Sequence, residues 1–390
     1  MNHIFVTDVK YRMAVPVLRV LHRGGSRVTA IEYDTTPAAQ ALGFCSNCAD
    51  ETVSLPFEET AFLAGLKSLA EACPVRPVVI PVGRRTLGIL AEHQEVRGFA
   101  DVITPTPEAL RWADNKRRVL ALAGEIGVPC PVSATIEDAG SLEELGEAMT
   151  YPAVVKYQNG ETLGLKPAQR YQIVEDKAAL MAVYSQMAQR QAAPIAQEYV
   201  AGTGFGVSVV LGADGRLCDF ICHERLREYP TAGGPSACCR AIFSRELLQY
   251  ACKLLGAIGF TGVAMVEFKG TLEHPKLMEI NPRFWGTSPL IAAAGSGFYE
   301  SLVAAAQGRA PALDPATCTP NYQVGKVMRF LPQDLLAFPH YLKQSGHKGA
   351  CLAGYLGDCF RPSVREGLFD RRDGRPFFRY LWNLLGRGGS

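Results

Sequence analysis

Hydrophobic residues fall in short runs through the first hundred positions, separated by segments of helical periodicity. His3-Ile4-Phe5-Val6-Thr7 reads as a strand, Ala14 to Arg23 as a helix, and Val28-Thr29-Ala30-Ile31, after Gly24-Gly25, as a second strand. Pro77-Val78-Val79-Ile80-Pro81-Val82 supplies another. Runs that stay apolar at consecutive positions suit strands buried on both faces, so this stretch predicts a parallel α/β sheet.

Pro105-Thr106-Pro107 reads as a linker, followed by a helix from about Asp114 to Ile126 that Gly127 and Pro129 bring to an end. From Tyr151 to about Glu279 the pattern becomes α+β: strands joined by glycine-bearing turns, with helices near Lys177 to Arg190 and Arg245 to Ile258. After Pro311 to Pro320 glycine and proline recur every few residues, and the tail reads as irregular. Its last apolar and basic stretch, Phe377-Phe378-Arg379-Tyr380-Leu381-Trp382, is read as a helix packed on its own domain in preference to one lying on a membrane surface.

A chain of 390 residues, 48% hydrophobic, can bury a sizeable core and exceeds one compact unit, so two or three domains are expected. Forty basic against 38 acidic residues leave a net charge of +2, which gives no electrostatic case for nucleic acid. No apolar run approaches the roughly 20 residues of a membrane span, and the chain enters a strand at once instead of a signal peptide. Cytoplasm is the expected compartment. Of 12 cysteines only Cys45 and Cys48 have CxxC spacing and no second pair follows, so reduced structural thiols are expected. Neither a G-x-G-x-x-G turn nor a Walker phosphate loop occurs.

The chemistry concentrates between Gly262 and Trp285. Val263-Ala264-Met265-Val266-Glu267-Phe268-Lys269 is an apolar strand interrupted by one carboxylate, and Leu277-Met278-Glu279-Ile280-Asn281-Pro282 is a second. Gly270 to Pro275 can turn between them, which predicts a hairpin. Glu279 and Asn281 then share a face, and the neighbouring strand can bring Glu267 onto it. On these residues alone two readings stand level: an all-oxygen cluster for a hard cation, or acids paired with Lys269 or Arg283 at a strand end.

Leu254-Leu255-Gly256-Ala257-Ile258-Gly259-Phe260-Thr261-Gly262, then Glu267, then Glu279-Ile280-Asn281-Pro282-Arg283, resembles the metal-binding end of the ATP-grasp superfamily, in particular its carbamoyl-phosphate-synthase-like carboxylate–amine ligases. The resemblance implies ATP with magnesium, or manganese in its place, held by Glu267, Glu279 and Asn281, and Arg283 on the transferred phosphoryl group. It places Lys116, in Asp114-Asn115-Lys116, and Lys156, in Pro152-Ala153-Val154-Val155-Lys156, on the phosphates. A lysine leaving an apolar strand is a compact charge for phosphate oxygens. Gln158 to Gly164 resembles the mobile turn that closes over them, and Gln197-Glu198-Tyr199-Val200 the strand that reads adenine. Where many relatives carry a ribose-binding Glu, this chain has Gly202-Thr203-Gly204-Phe205-Gly206, so ribose recognition has no assigned residue.

His223, Arg225 and Arg227 alternate along one predicted strand, and Thr231 to Ser236 forms a loop whose Gly233, Gly234 and Ser236 could offer groups to an anion. Arg225 and Arg227 are the expected catalytic cations on this side, with His223 and the loop as substrate contacts; His223 or Glu224 are candidate bases for the amine. The resemblance covers about residues 1–310. It implies a Rossmann-like domain over 1–106, then an ATP-grasp fold with its first lobe over 107–200 and its second over 201–310. Residues 311–390 remain an extension of unknown role. The implied activity joins a small-molecule carboxylate to an amine, with a kinase, a carboxylase or a nucleotide-sensing scaffold as rivals. Dimer formation is compatible with the sequence.

Overall fold

The computed structural model describes residues 1–158, 163–165, 169–231 and 234–386. Strands β1 (His3–Val6), β2 (Arg27–Tyr33), β3 (Glu51–Leu55) and β4 (Val78–Ile80) form a parallel sheet in the order β3-β2-β1-β4, with helices α1 (Ala14–Arg23), α2 (Glu59–Glu71) and α3 (Arg84–Glu92). The apolar runs are explained by two cores. Ile4, Val6, Val28, Ala30, Val78 and Ile80 enter one with α1, whereas Phe5, Ile31, Tyr33 and Val79 enter the other with Phe62 and Leu66 of α2. Successive side chains point to opposite faces, so a strand covered on both sides is apolar at most of its positions.

The segment read as a linker begins a helix. Pro107 opens α4 (Pro107–Asp114), where its missing N–H costs nothing, and the Thr106 hydroxyl accepts from the Ala109 N–H. The helix expected over about 114–126 is α5 (Lys116–Glu125); Asn115 leaves helical geometry, breaks α5 from α4, and caps α5 with its side chain. The break makes Lys116 the first residue of α5.

A second sheet, β5-β8-β6-β7, comprises β5 (Ser133–Ala134), β6 (Ala153–Lys156), β7 (Tyr171–Val174) and β8 (Ile195–Glu198). Helices α6 (Ile136–Ala139), α7 (Leu142–Ala148) and α8 (Lys177–Ala188) belong to this region, which has its own core around Leu145, Val155, Leu180 and Tyr184. The third sheet is larger. It contains β9 (Thr203–Leu211), β10 (Leu217–Glu228), β11 (Ser236–Ile242), β12 (Gly262–Gly270) and β13 (Pro275–Asn281), with α9 (Arg245–Ala257), α10 (Pro289–Ala293) and α11 (Phe298–Ala306). Its core is continuous with that of the first sheet.

The tail is not irregular. Strand β14 (Val327–Arg329) pairs with β11, and β15 (Val364–Glu366) pairs with β14, extending the large sheet to β13-β12-β9-β10-β11-β14-β15. Helices α12 (Leu331–Gln344), α13 (Lys348–Gly357) and α14 (Arg375–Gly386) complete it. Helix α14 packs Phe377, Tyr380 and Leu381 against Val15, Leu42 and Leu368. A buried ion pair fastens the same region to the N-terminal sheet: Arg19 Nε donates to Asp373 Oδ2 at 2.8 Å, and that carboxylate also accepts from the Ser46 hydroxyl and the Asn47 N–H. All 12 cysteines are free. Among the described residues no helix is long and apolar enough to cross a membrane.

Removing one member of a buried pair strands the other charge in low dielectric. Asp373→Ala is expected to cost about 3–5 kcal/mol, read as a lower urea midpoint, and the double apolar variant Arg19→Met/Asp373→Leu to regain much of it.

Candidate active site

The β12–β13 hairpin places Glu267 opposite Glu279 in register. Residues so paired project from one face with Cβ atoms roughly 4.5–5.5 Å apart. Two carboxylates at that spacing, largely removed from water, need counter-charge. Lys116 Nζ meets Glu279 Oε2 at 2.7 Å from the start of α5, and Arg225 on β10 donates to Glu267 Oε2 at 2.6 Å. Lys269, one of the strand-end partners considered from the sequence, instead lies over the Tyr199 ring at 5.3 Å. Burial pushes the Glu267 carboxyl up, and Arg225 opposes it. Burial acts the same way on Glu279, but Lys116 outweighs it and holds that carboxyl below its usual range.

Lys156, at the end of β6, approaches from the smaller sheet and donates to Gln197 Oε1 at 2.8 Å. Gln197 Nε2 in turn donates to Ser133 Oγ at 2.7 Å, which fixes the amide. Burial, with Lys116 nearby, pushes the Lys156 amine down to about 7. Glu198 is clasped by Lys276 of β13 at 2.5 and 2.7 Å and accepts from the Val132 N–H, so it ties the smaller sheet to the large one.

A cavity of about 490 Å³ opens among these groups. Lys116, Lys156, Gln197, Glu198, Tyr199, Val200, Arg225, Arg227, Glu267 and Glu279 line it, with Val154, Ile173, Leu226 and Met278 as an apolar wall. Such a mixture of flat apolar surface and convergent cations suits a nucleotide, its base on one wall and its phosphates at the lysines. Tyr341 of α12 also lines the cavity. Sequence reasoning missed it because that tail read as irregular.

The other expected residues lie elsewhere. Asn281 does not line the cavity but donates to Glu279 Oε1 at 3.4 Å. Arg283 donates to the Phe284 carbonyl at 3.0 Å and lines a small cleft beside Val79 and Pro81. His223 is a correction. It does not line the cavity; its ring lies on Gly206, where an added Cβ would come within 2.2 Å, and Nε2 is 3.1 Å from the Thr287 hydroxyl. Burial, with Arg225 behind it, pushes His223 down to about 3, which leaves it neutral. Arg227 reaches the cavity edge, yet its guanidinium is committed to Asp334 of α12 at 2.6 and 2.9 Å. Ser236 donates to the Cys238 carbonyl at 3.1 Å, and Gly234 closes a tight turn on the Pro230 carbonyl at 2.8 Å; neither lines the cavity. Glu224, ion-paired with Arg240, does not line it either. Gly233 lies outside the described residues, as do 159–162 of the expected closing turn.

The glycine run in place of a ribose-binding acid has a steric role. Gly206 is the register partner of His223, and Gly204 leaves room for the Arg225 side chain, whose Cδ would lie 2.9 Å from an added Cβ. Gly202 sits at φ +109° against the Gly270 carbonyl, where a side chain would be both strained and obstructed.

Among the described residues no three His, Cys, Asp or Glu side chains gather as a metal cage. Glu267 and Glu279 with the Asn281 amide still make an all-oxygen donor set. That fits magnesium, which is commonly bound by one or two carboxylates with phosphates and water completing the shell.

Residues 190–330, which span β8 to β14, match the family described as "ATP-grasp in the biosynthetic pathway with Ter operon". Over that stretch the chain is similar to the ATP-grasp proteins. Among curated proteins it is similar to the carbamoyl phosphate synthase large chain of Gemmatimonas aurantiaca, 22% identical over 265 residues, 64% of this chain and 24% of that one. The chain thus spans about a quarter of that relative's length. Among solved structures it resembles the L-amino acid ligase from Bacillus licheniformis, with TM-score 0.58 and 16% identity over 84% of this chain and 78% of that one. It also resembles N5-carboxyaminoimidazole synthetase from Staphylococcus aureus complexed with ADP, with TM-score 0.60 and 14% identity over 84% and 80% of the two chains. At these identities the structural likeness is one of fold.

An amine whose pKa falls to about 7 is half neutral near that pH. Competitive acylation mapped by mass spectrometry is expected to give Lys156 a titration midpoint near 7, well below Lys116, which Glu279 keeps charged. Between about 7 and the ordinary 10.5 only the unfolded chain holds this proton, so stability should rise with pH across that window and lose this increment in Lys156→Met.

Proposed function

We propose that the chain is an ATP-dependent carboxylate–amine ligase that passes through an acyl phosphate and releases ADP and phosphate. The observation that carries this reading is the meeting of Lys116, Lys156, Arg225 and the Glu267–Glu279 pair in one cavity. Phosphoryl transfer asks little covalent chemistry of a protein. It asks for positioning and for positive charge where the transferring oxygens gain negative charge.

In this reading the backbone of Glu198 to Val200 receives the adenine, while Lys116 and Lys156 take the phosphates. A carboxylate oxygen of the acid substrate attacks the γ-phosphorus, the bond to the β–γ bridging oxygen breaks, and ADP leaves with that electron pair. Arg225 neutralises the acid and the phosphoryl oxygens, and Arg283, which lines the separate cleft beside Val79 and Pro81, is dropped from that role. Magnesium, or manganese, would sit between Glu267, Glu279 and Asn281 and supply further charge neutralisation. An uncharged amine nitrogen then attacks the acyl carbon, phosphate departs, and the nitrogen loses a proton. His223 and Glu224, which lie off the cavity, are dropped as the base. A cytosolic setting and unit boundaries near residues 106, 200 and 310 belong to the same proposal.

ADP release measured by a coupled assay is expected to require both an acid and an amine. Lys156→Met and Glu279→Gln should each lower kcat/KM about 100-fold or more, the scale for losing one preorganised charge contact. Full turnover in Glu279→Gln would overturn the metal assignment. ADP release with an acid alone, or with bicarbonate alone, would favour a kinase or a carboxylase.

A further inference from the structure

A second cavity, of about 360 Å³, lies between the end of β10 and helices α12 and α13. It shares Leu226, Arg227 and Tyr341 with the larger cavity, so the two adjoin at the last turn of β10. Its other walls come from residues 338 to 361, beyond the stretch that matches the family model. Helix α13 contributes Ala350, Cys351, Gly354 and Tyr355, which recur at helical spacing on one face, and Asp358 follows as its C-cap. No role for this region is legible from sequence.

We propose that this cavity is the amine subsite, and that the amine is an amino acid with an apolar or aromatic side chain; the inference rests on the ligase reading above. Charge supplies the first argument. Among the described residues Arg227, Arg329 and Arg361 share the carboxylates Asp334 and Asp358 at 2.6–3.5 Å, three guanidinium groups on two acids in that cluster. A substrate carboxylate would supply a third, most directly at Arg361, which is 60% exposed.

Surface chemistry supplies the second argument. Phe338 stacks on Tyr355 with centroids 3.9 Å apart, and these rings with Leu226, Ala350 and the bare backbone of Gly354 make an apolar wall beside the cations. Position supplies the third. The acid to be activated must bring its carboxylate to Lys156 and Arg225, so a site across Arg227 and Tyr341 suits the substrate that attacks afterwards. An amino acid whose carboxylate is held at Arg361 can direct its amino group through the shared edge toward the acyl phosphate.

The same wall provides the test. An added Cβ at Gly354 meets nothing within 4 Å, so Gly354→Leu can fill the cavity without displacing the chain. Cys351 is a free, partly exposed thiol on that wall. The full chain would be alkylated with iodoacetamide, with and without millimolar L-leucine or L-phenylalanine, and Cys351 labelling followed by peptide mass spectrometry with exposed Cys359 as internal control. Slowing at Cys351 and not at Cys359 is expected, with no protection from L-leucinol, which lacks the carboxylate, and none in Gly354→Leu or Arg361→Gln. Wild-type Cys351 labelling that neither amino acid changes would overturn the subsite. In turnover, Gly354→Leu should raise KM for the amino acid at least 10-fold; an unchanged KM would likewise overturn it. If Cys351 is protected but no amine supports ADP release, the subsite stands and the ligase reading fails.

Discussion

The structure depends on keeping two carboxylates side by side inside a largely apolar hairpin. Glu267 and Glu279 face each other across β12 and β13, and their repulsion and desolvation are offset only because separate elements deliver cations to them. Lys116 arrives on α5 and Arg225 on β10. The Asn115 cap fixes where α5 begins, and the glycines of β9 leave space for Arg225, so features remote in sequence serve the same electrostatic requirement.

Those cations are also what a polyphosphate needs. A site already holding Lys116 on Glu279 and Lys156 on Gln197 can exchange these internal partners for phosphate oxygens and metal. The strand that carries Gln197 and Glu198 belongs to the smaller sheet, whose core is separate from that of the large one. The Glu198–Lys276 pair spans the two sheets. The cavity is therefore bounded by two packing units joined through a few polar contacts, an arrangement in which substrate can enter and be enclosed.

The C-terminal segment changes the view of the substrate side. Asp334 is fully buried and binds both Arg227 and Arg329, so β10 and β14 are locked to α12 by charge as well as by strand pairing. Arg227 reads from sequence as a free catalytic cation but has a structural partner that lies 107 residues away. His223 likewise alternates with Arg225, as a strand requires, yet sits deeper against Gly206 and Thr287. Alternation specifies a face and not a depth.

The sequence by itself determined what depends on local chemistry: the unbroken apolar runs of a parallel sheet covered on both faces, the hairpin, and the pairing of Glu267 with Glu279 that two-residue periodicity allows. It also held Lys116, Lys156 and the Gln197–Val200 stretch in recognisable order. Tertiary structure decided everything set by contacts between distant segments. These include which cation meets which acid, why glycines fill β9, that a further helix ends at Asp114 just before Asn115 caps α5, and that a tail rich in glycine and proline folds around Asp334 and Asp373. Apart from its last helix the tail was illegible, because its order rests on buried ion pairs with residues up to 354 positions away, and no local pattern records a partner at that distance.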